Sequence, residues 1–220
     1  PEVVLVYLTG TPRRGIGPHD VALSLVKATF ESGFVKNKVL EFVGPGIKNL
    51  PIDFRNGIDV MTTETTCLSS IWCTDETVRE HYKTHGREEL YKQLNPDDVA
   101  YYDSMITIDL DKQESMIALP FHPSNAYTIH EFNENAKEIL ESVEKEAKEK
   151  FGKINYDLTS KIRDGKVYAD QGIIAGCAGG LYDNICEAGA ILDGNNTGNS
   201  YFSMSVYPTS VILNLSVLLS

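Results

Sequence analysis

Apolar positions along this chain fall in short runs cut by glycine and proline, and their spacing changes from one run to the next. Val3 to Leu8 is an unbroken apolar run rich in β-branched side chains, which predicts a buried strand. A turn-rich stretch from Thr9 to Gly17 follows. Pro18 then suits the first position of a helix, and Asp20 places negative charge in its first turn. Val21, Ala22, Leu25, Val26 and Phe30 share one broad apolar face, with Gly33 as the expected stop. Val39 to Val43 reads as the next strand, cut off by Gly44-Pro45-Gly46. The result is a strand–helix–strand unit of α/β type.

Residues 52–72 mix small, polar and apolar side chains and predict a helix with an irregular middle. Glu76 to Leu94 predicts one or two polar surface helices, and Met105 to Leu110 a strand. Leu119 to Pro123 predicts an extended crossing segment, because residues before proline avoid the helical region. The clearest helical period runs from about Glu131 to Phe151. Phe132, Ala136, Ile139, Leu140, Val143, Ala147 and Phe151 lie on one stripe, and Gly152 can close it. Glu141/Lys145, Glu144/Lys148 and Glu146/Lys150 stand four apart on the surface, each pair worth about 0.3 kcal/mol.

After a polar stretch, 153–170, a second α/β unit begins. It comprises a strand over 172–175, a Gly-Cys-Ala-Gly-Gly turn, a helix from Tyr182 to Leu192 and a Gly/Asn-rich loop from Gly194 to Gly198. A strand from Phe202 to Tyr207 and a turn at 208–210 come next, and the apolar tail to Leu219 starts a helix. The expected organisation is α/β: a three-layer α/β/α domain over 1–125, a connecting helix over 126–152 and part of a second, similar domain over 153–220. The pattern stops in mid-unit, so more chain is expected to follow. No internal repeat or low-complexity segment occurs.

With 220 residues, 42% of them hydrophobic, the chain can build one sizeable core or two small domains. No apolar run reaches the roughly eighteen residues of a membrane-spanning helix, so no membrane partner is expected. The start Pro1-Glu2-Val3 has no initiator Met and gives no support for a signal peptide; it predicts a beginning partway through a longer protein, or after processing. Twenty basic against 31 acidic residues give a formal charge of −11, which argues against nucleic acid as a partner. The four cysteines, 67, 73, 177 and 186, contain no Cys-x-x-Cys pair and no secreted disulfide pattern, so a reducing cytoplasmic setting is expected.

Two places could carry chemistry. Glu64 sits in Met61-Thr62-Thr63-Glu64-Thr65-Thr66-Cys67, where hydroxyls could orient a general base or acid; a helix-cap or solvent-facing glutamate is the alternative. Cys177 ends a strand in Ala175-Gly176-Cys177-Ala178-Gly179-Gly180, where open α/β sheets bind ligands and a thiolate could bind metal; the alternative is a small buried side chain packed on glycine. His81 and His85 would share a helix face, but no Glu follows the first and no third ligand is near, so they read as surface histidines. Ser69, Ser70 and Ser210 lack a nucleophile elbow. Cys67, Cys73 and Cys186 read as small core residues.

In order along the chain, these segments resemble the aconitase family, which includes isopropylmalate dehydratase large subunits. Gly10 to Leu50 is similar to that family's second α/β domain, and Met61 to Ile71 to its Asn-Met-x-x-Glu-x-Gly-Ala-Thr segment. Tyr102-Asp103 to Leu110 and Pro120-Phe121-His122-Pro123 resemble the next strand and its Gly-Pro-Phe-Thr-Pro stretch. Gly176-Cys177 to Asn184 resembles Ser-Cys-Thr-Asn with its helix, and Val206 to Ser210 the later Pro-Gly-Ser turn. The resemblance implies a [4Fe–4S] cluster held by three cysteines, whose open iron acts as a Lewis acid on a substrate hydroxyl and carboxylate. It makes Cys177 the first cluster thiolate and Glu64 the glutamate beside the reacting hydroxyl.

The chain departs from the pattern at Val60 and Gly179, where the family has asparagines, and it lacks the paired cysteines of the later Cys-x-x-Cys. The implied function is a hydro-lyase acting on a small hydroxy carboxylic acid. Catalysis and cluster binding would need the remaining domains of the same protein, and this chain alone would be inactive and without a cluster. The alternative is a non-catalytic small-molecule-binding or scaffold relative that retains the fold.

Overall fold

Val4, Val6 and Leu8 point to one face of the first strand, β1 (Val3–Thr9), and are fully buried, while Val3, Leu5 and Tyr7 on the other face are half-buried. This strand is central in a four-stranded parallel sheet of order β3-β2-β1-β4, with β2 at Val39–Val43, β3 at Ser69–Trp72 and β4 at Ser104–Asp109. The computed structural model describes residues 1–197 and 201–210. These form two compact units, Pro1–Glu114 and the chain from Ser115 onward. The fold class is α/β with a mostly parallel sheet.

In the first unit, α1 (Pro18–Thr29) links β1 to β2. It begins at the expected proline, and the Asp20 carboxylate accepts the Gly17 N–H at 2.7 Å. It ends four residues before Gly33, which instead takes φ +65° in the turn that follows. Next, α2 (Ile52–Met61) runs into a 3-10 turn over Thr62–Thr65, and Thr66 at φ +63° then turns the chain into β3. The expected single irregular helix over 52–72 is therefore a helix, a turn and a strand. Val21 and Leu25 of α1 and Ile58 of α2 pack with Val4, Val6, Leu8, Leu40 and Phe42 in the main core. On the opposite face of the sheet, Ile71 is 45% and Met105 58% exposed. After β3 come α3 (Glu76–Thr84), with no buried residue, and a short 3-10 turn at Glu88–Leu90.

In the second unit, the antiparallel strands β5 (Met116–Ala118) and β6 (Ala126–Thr128) flank the expected crossing segment and lead into α4 (Ile129–Phe151). Thr128 caps α4 by accepting the Glu131 N–H, and Gly152 at φ +71° ends it. The backbone kinks at Asn135, whose side-chain amide donates to the Glu131 carbonyl. Phe132, Ala136, Ile139 and Leu140 pack on Ile117, Leu119, Tyr127, Leu158 and Ile162, so the helix has a core of its own. Phe151 is the exception on the predicted stripe: it is exposed, with its ring tilted against that of Phe121, centroids 5.2 Å apart.

The polar stretch 153–170 holds a small hairpin, β7 (Ile162–Arg163) with β8 (Lys166–Val167). Then β9 (Gln171–Ile174) leads through the one-turn helix α5 (Gly176–Gly179) to α6 (Tyr182–Leu192), and β10 (Ser203–Val206) returns parallel to β9. The helix expected in the tail to Leu219 lies outside the described residues.

Candidate functional site

The carboxyl ends of the parallel strands are built by glycines that let backbones touch. Gly44 has φ +115°, and a Cβ there would lie 2.4 Å from the Leu8 carbonyl oxygen. The Gly46 N–H donates to that same oxygen at 2.9 Å. Gly10 has φ +73° and is closed in by Asp111, which accepts the Thr11 N–H at 3.0 Å, while the Asn49 amide donates to the Gly10 carbonyl at 2.9 Å. The turn after β1 is thus tied to the turns after β2 and β4.

Glu64 lies half-buried in the 3-10 turn that joins α2 to β3. The hydroxyls that flag this segment turn largely to the backbone. Thr62 donates to the Asp59 carbonyl at 2.7 Å, Thr63 to the Val60 carbonyl at 3.1 Å and Thr65 to the Thr62 carbonyl at 2.6 Å. They hold the turn, and so fix the backbone that carries Glu64. A neighbouring carboxylate receives the side-chain donors: Asp59 Oδ1 accepts from Ser70 Oγ at 2.6 Å and from Trp72 Nε1 at 2.9 Å.

Asp59 also lines a cleft of about 430 Å³ between α2 and α3, together with Arg55, Trp72, His81, His85 and Arg87. Arg55 is buried, and its guanidinium forms a bidentate pair with Asp75 at 2.9 and 2.7 Å. Asp75 in turn caps α3 by accepting the Val78 N–H. Burial raises the Asp75 carboxyl, but the Arg55 hydrogen bonds and charge and the backbone N–H groups outweigh it and hold the pKa below its ordinary 3.8. The His81 and His85 rings lie tilted against each other with centroids 4.4 Å apart, and His85 Nδ1 meets the His81 carbonyl at 2.8 Å. Burial, then the His85 charge, lowers the His81 pKa against the opposing pull of Asp53. Of this cleft only His81 and His85 stand out in the sequence, because Arg55, Asp59, Trp72 and Asp75 belong to no short motif.

Cys177 stands exposed on α5, the single helical turn after β9. Gly176 at φ +88° makes the bend, and a Cβ on Gly180 would lie 2.7 Å from the Tyr207 carbonyl oxygen and 2.8 Å from that of Gly176. Asn184 donates to the Ala178 carbonyl at 2.7 Å, and the Thr209 N–H to that of Gly180 at 3.1 Å. The thiol therefore sits at the carboxyl end of a parallel pair, held from α6 and from the turn after β10. Glu64 belongs to the first unit and Cys177 to the second.

Residues 1–216 match the Aconitase family (aconitate hydratase) along their whole length. The chain belongs to the aconitase family. It is 27% identical over 218 residues to a 3-isopropylmalate dehydratase large subunit of Lachnoclostridium phytofermentans, covering 99% of this chain and 44% of that protein. It is 30% identical over 131 residues to 3-isopropylmalate dehydratase large subunit 1 of Thermotoga maritima, covering 60% of this chain and 31% of the relative. A fungal family member, aconitase htyD of Aspergillus rugulosus, is 32% identical over 135 residues, 60% of this chain and 15% of its own length. The chain thus spans less than half the length of these relatives.

The family's cluster can be tested against the thiols present. Cys67 donates to the Thr62 carbonyl at 3.4 Å and packs beside the main core; Cys73 donates to the Phe42 carbonyl at 3.2 Å, and burial pushes its thiol pKa up. Cys186 is not the core residue expected: it is exposed on α6, one turn after Tyr182, whose phenol its hydrogen bond raises. Among the described residues, no group of three or more His, Cys, Asp and Glu could hold a metal ion. An aconitase-type cluster needs three convergent thiolates; the described residues do not fit it by themselves. Among them, too, no helix is long and apolar enough to cross a membrane.

Proposed function

We propose that this chain is an internal part of a hydro-lyase that adds or removes water at a small hydroxy carboxylic acid. In this reading Glu64 moves the proton at the reacting hydroxyl, and Cys177 supplies one of three thiolates for a [4Fe–4S] cluster. The other cluster ligands and acid–base groups come from further domains of the same protein, and the chain alone neither turns over substrate nor holds the cluster. The observation that carries this reading is the collinear family match over residues 1–216, with Cys177 exposed in the glycine turn after β9. The four free thiols suit a reducing, cytoplasmic setting, and the acidic surface suits a small-molecule substrate better than nucleic acid.

The test is steady-state hydration and dehydration of a panel of hydroxy acids and their unsaturated partners by the full-length protein. Glu64→Gln should lower kcat by about a hundredfold or more while leaving the unfolding midpoint unchanged. An unchanged kcat removes Glu64 from the chemistry. A non-catalytic small-molecule-binding relative is the second reading, favoured by Val60 and Gly179 in place of the family's asparagines. It predicts saturable binding of a hydroxy acid with no turnover by the wild-type protein.

A further inference from the structure

We propose that the cleft between α2 and α3 is a binding site for a small zwitterion, an α-amino acid, built from residues other than Glu64 and Cys177. Its volume, about 430 Å³, falls in the range of small-molecule sites. Four of the five N–H groups of Arg55 are taken: Nε by the Leu50 carbonyl, Nη2 by the Ile47 carbonyl and Asp75, and Nη1 by Asp75. The fifth, on Nη1, has no acceptor among the described residues, although the side chain is only 4% exposed and lines the cleft. Asp59 is in the complementary state. Its Oδ1 takes both the Ser70 and the Trp72 donors, which leaves Oδ2 as an open acceptor among the described residues.

Charge decides the class of ligand. Arg55 is neutralised by Asp75, and burial keeps His81 toward its neutral form. Besides His81 and His85, whose rings lie against each other, the charges that remain on the walls are one carboxylate, Asp59, and one guanidinium, Arg87, which makes no ion pair among the described residues. A net anion would face Asp59 and a net cation would face Arg87, whereas a zwitterion satisfies both. Its ammonium belongs at Asp59 Oδ2, beside the indole of Trp72, and its carboxylate at Arg87 and the spare Arg55 N–H. Trp72 is held in place by the Asp59 hydrogen bond and by stacking on Phe42, centroids 4.2 Å apart. Ile52 and Val78 offer apolar wall for the ligand's side chain.

Free amino acids titrated into the full-length protein should give saturable binding heat in calorimetry for at least one of them. The N-acetyl and amide derivatives of the same amino acid should give none. Arg87→Gln and Asp59→Asn should each weaken binding about tenfold or more. Arg87 is on the exposed rim, so its variant keeps the fold and carries the test if Asp59→Asn disturbs Trp72. The proposal is overturned if no amino acid responds up to about 10 mM, if the blocked derivatives or Arg87→Gln bind as before, or if a dicarboxylate binds more tightly than any amino acid. None of these outcomes depends on a cluster or on hydro-lyase activity.

Discussion

Arg55 carries a charge into the interior, and two backbone carbonyls besides Asp75 rely on its N–H groups. Arg55→Met should therefore cost about 3 kcal/mol, since it strands the Leu50 carbonyl, leaves the Ile47 carbonyl with the Leu50 N–H alone and leaves Asp75 without its cation; equilibrium urea unfolding measures it. The pair also sets an acid limit. Because the native Asp75 pKa lies below its ordinary 3.8, its contribution is complete above that value and is lost as pH falls through the depressed native pKa. That part of the acid response should vanish in Arg55→Met. Gly44→Ala should cost at least about 2 kcal/mol in the same assay, because it adds a Cβ at positive φ against the Leu8 carbonyl. Of these features, Gly44 was legible in the Gly-Pro-Gly cut after a strand. Arg55 and Asp75 stand twenty residues apart in sequence, and only the fold brings them together.

Elements that repeat a period over several turns were readable, and those that do not were missed. The stripe of α4 is the clearest case, since its Phe132, Ala136, Ile139, Leu140, Val143 and Ala147 are all buried. The shortest strands carry no readable pattern, for physical reasons. β3 has only four residues, begins Ser69-Ser70 and is identified by its pairing with β2 rather than by any apolar pattern. The hairpin β7–β8 has two residues a side, too few for alternation to show. Charge pairing on α4 was only partly foreseen. Glu146 does reach Lys150 at 2.7 Å, but Glu141 meets Lys137, and Glu144 accepts the backbone N–H groups of Leu158 and Thr159 at 2.7 and 2.6 Å. Glu144 therefore ties the next segment to the helix. Glu144→Gln should speed hydrogen exchange of those two amides about tenfold, with the α4 core amides unchanged. Equal protection in both proteins would show that the carboxylate does not hold them.

For the molecule as a whole, the family was legible because several short motifs occur in the right order, each weak alone. What the sequence could not supply is convergence. Glu64 and Cys177 lie in separate units, and the remaining cysteines are spent on backbone carbonyls or stand on α6. In the proposed function, Cys177 is one anchor of an iron–sulfur cluster completed by other segments of the protein. Anaerobic reconstitution of the full-length protein with iron and sulfide, followed by its visible absorbance, tests this most directly. A cluster band should appear in the wild type and be lost in Cys177→Ser; no band in the wild type, or an undiminished band in the variant, would overturn this role for Cys177.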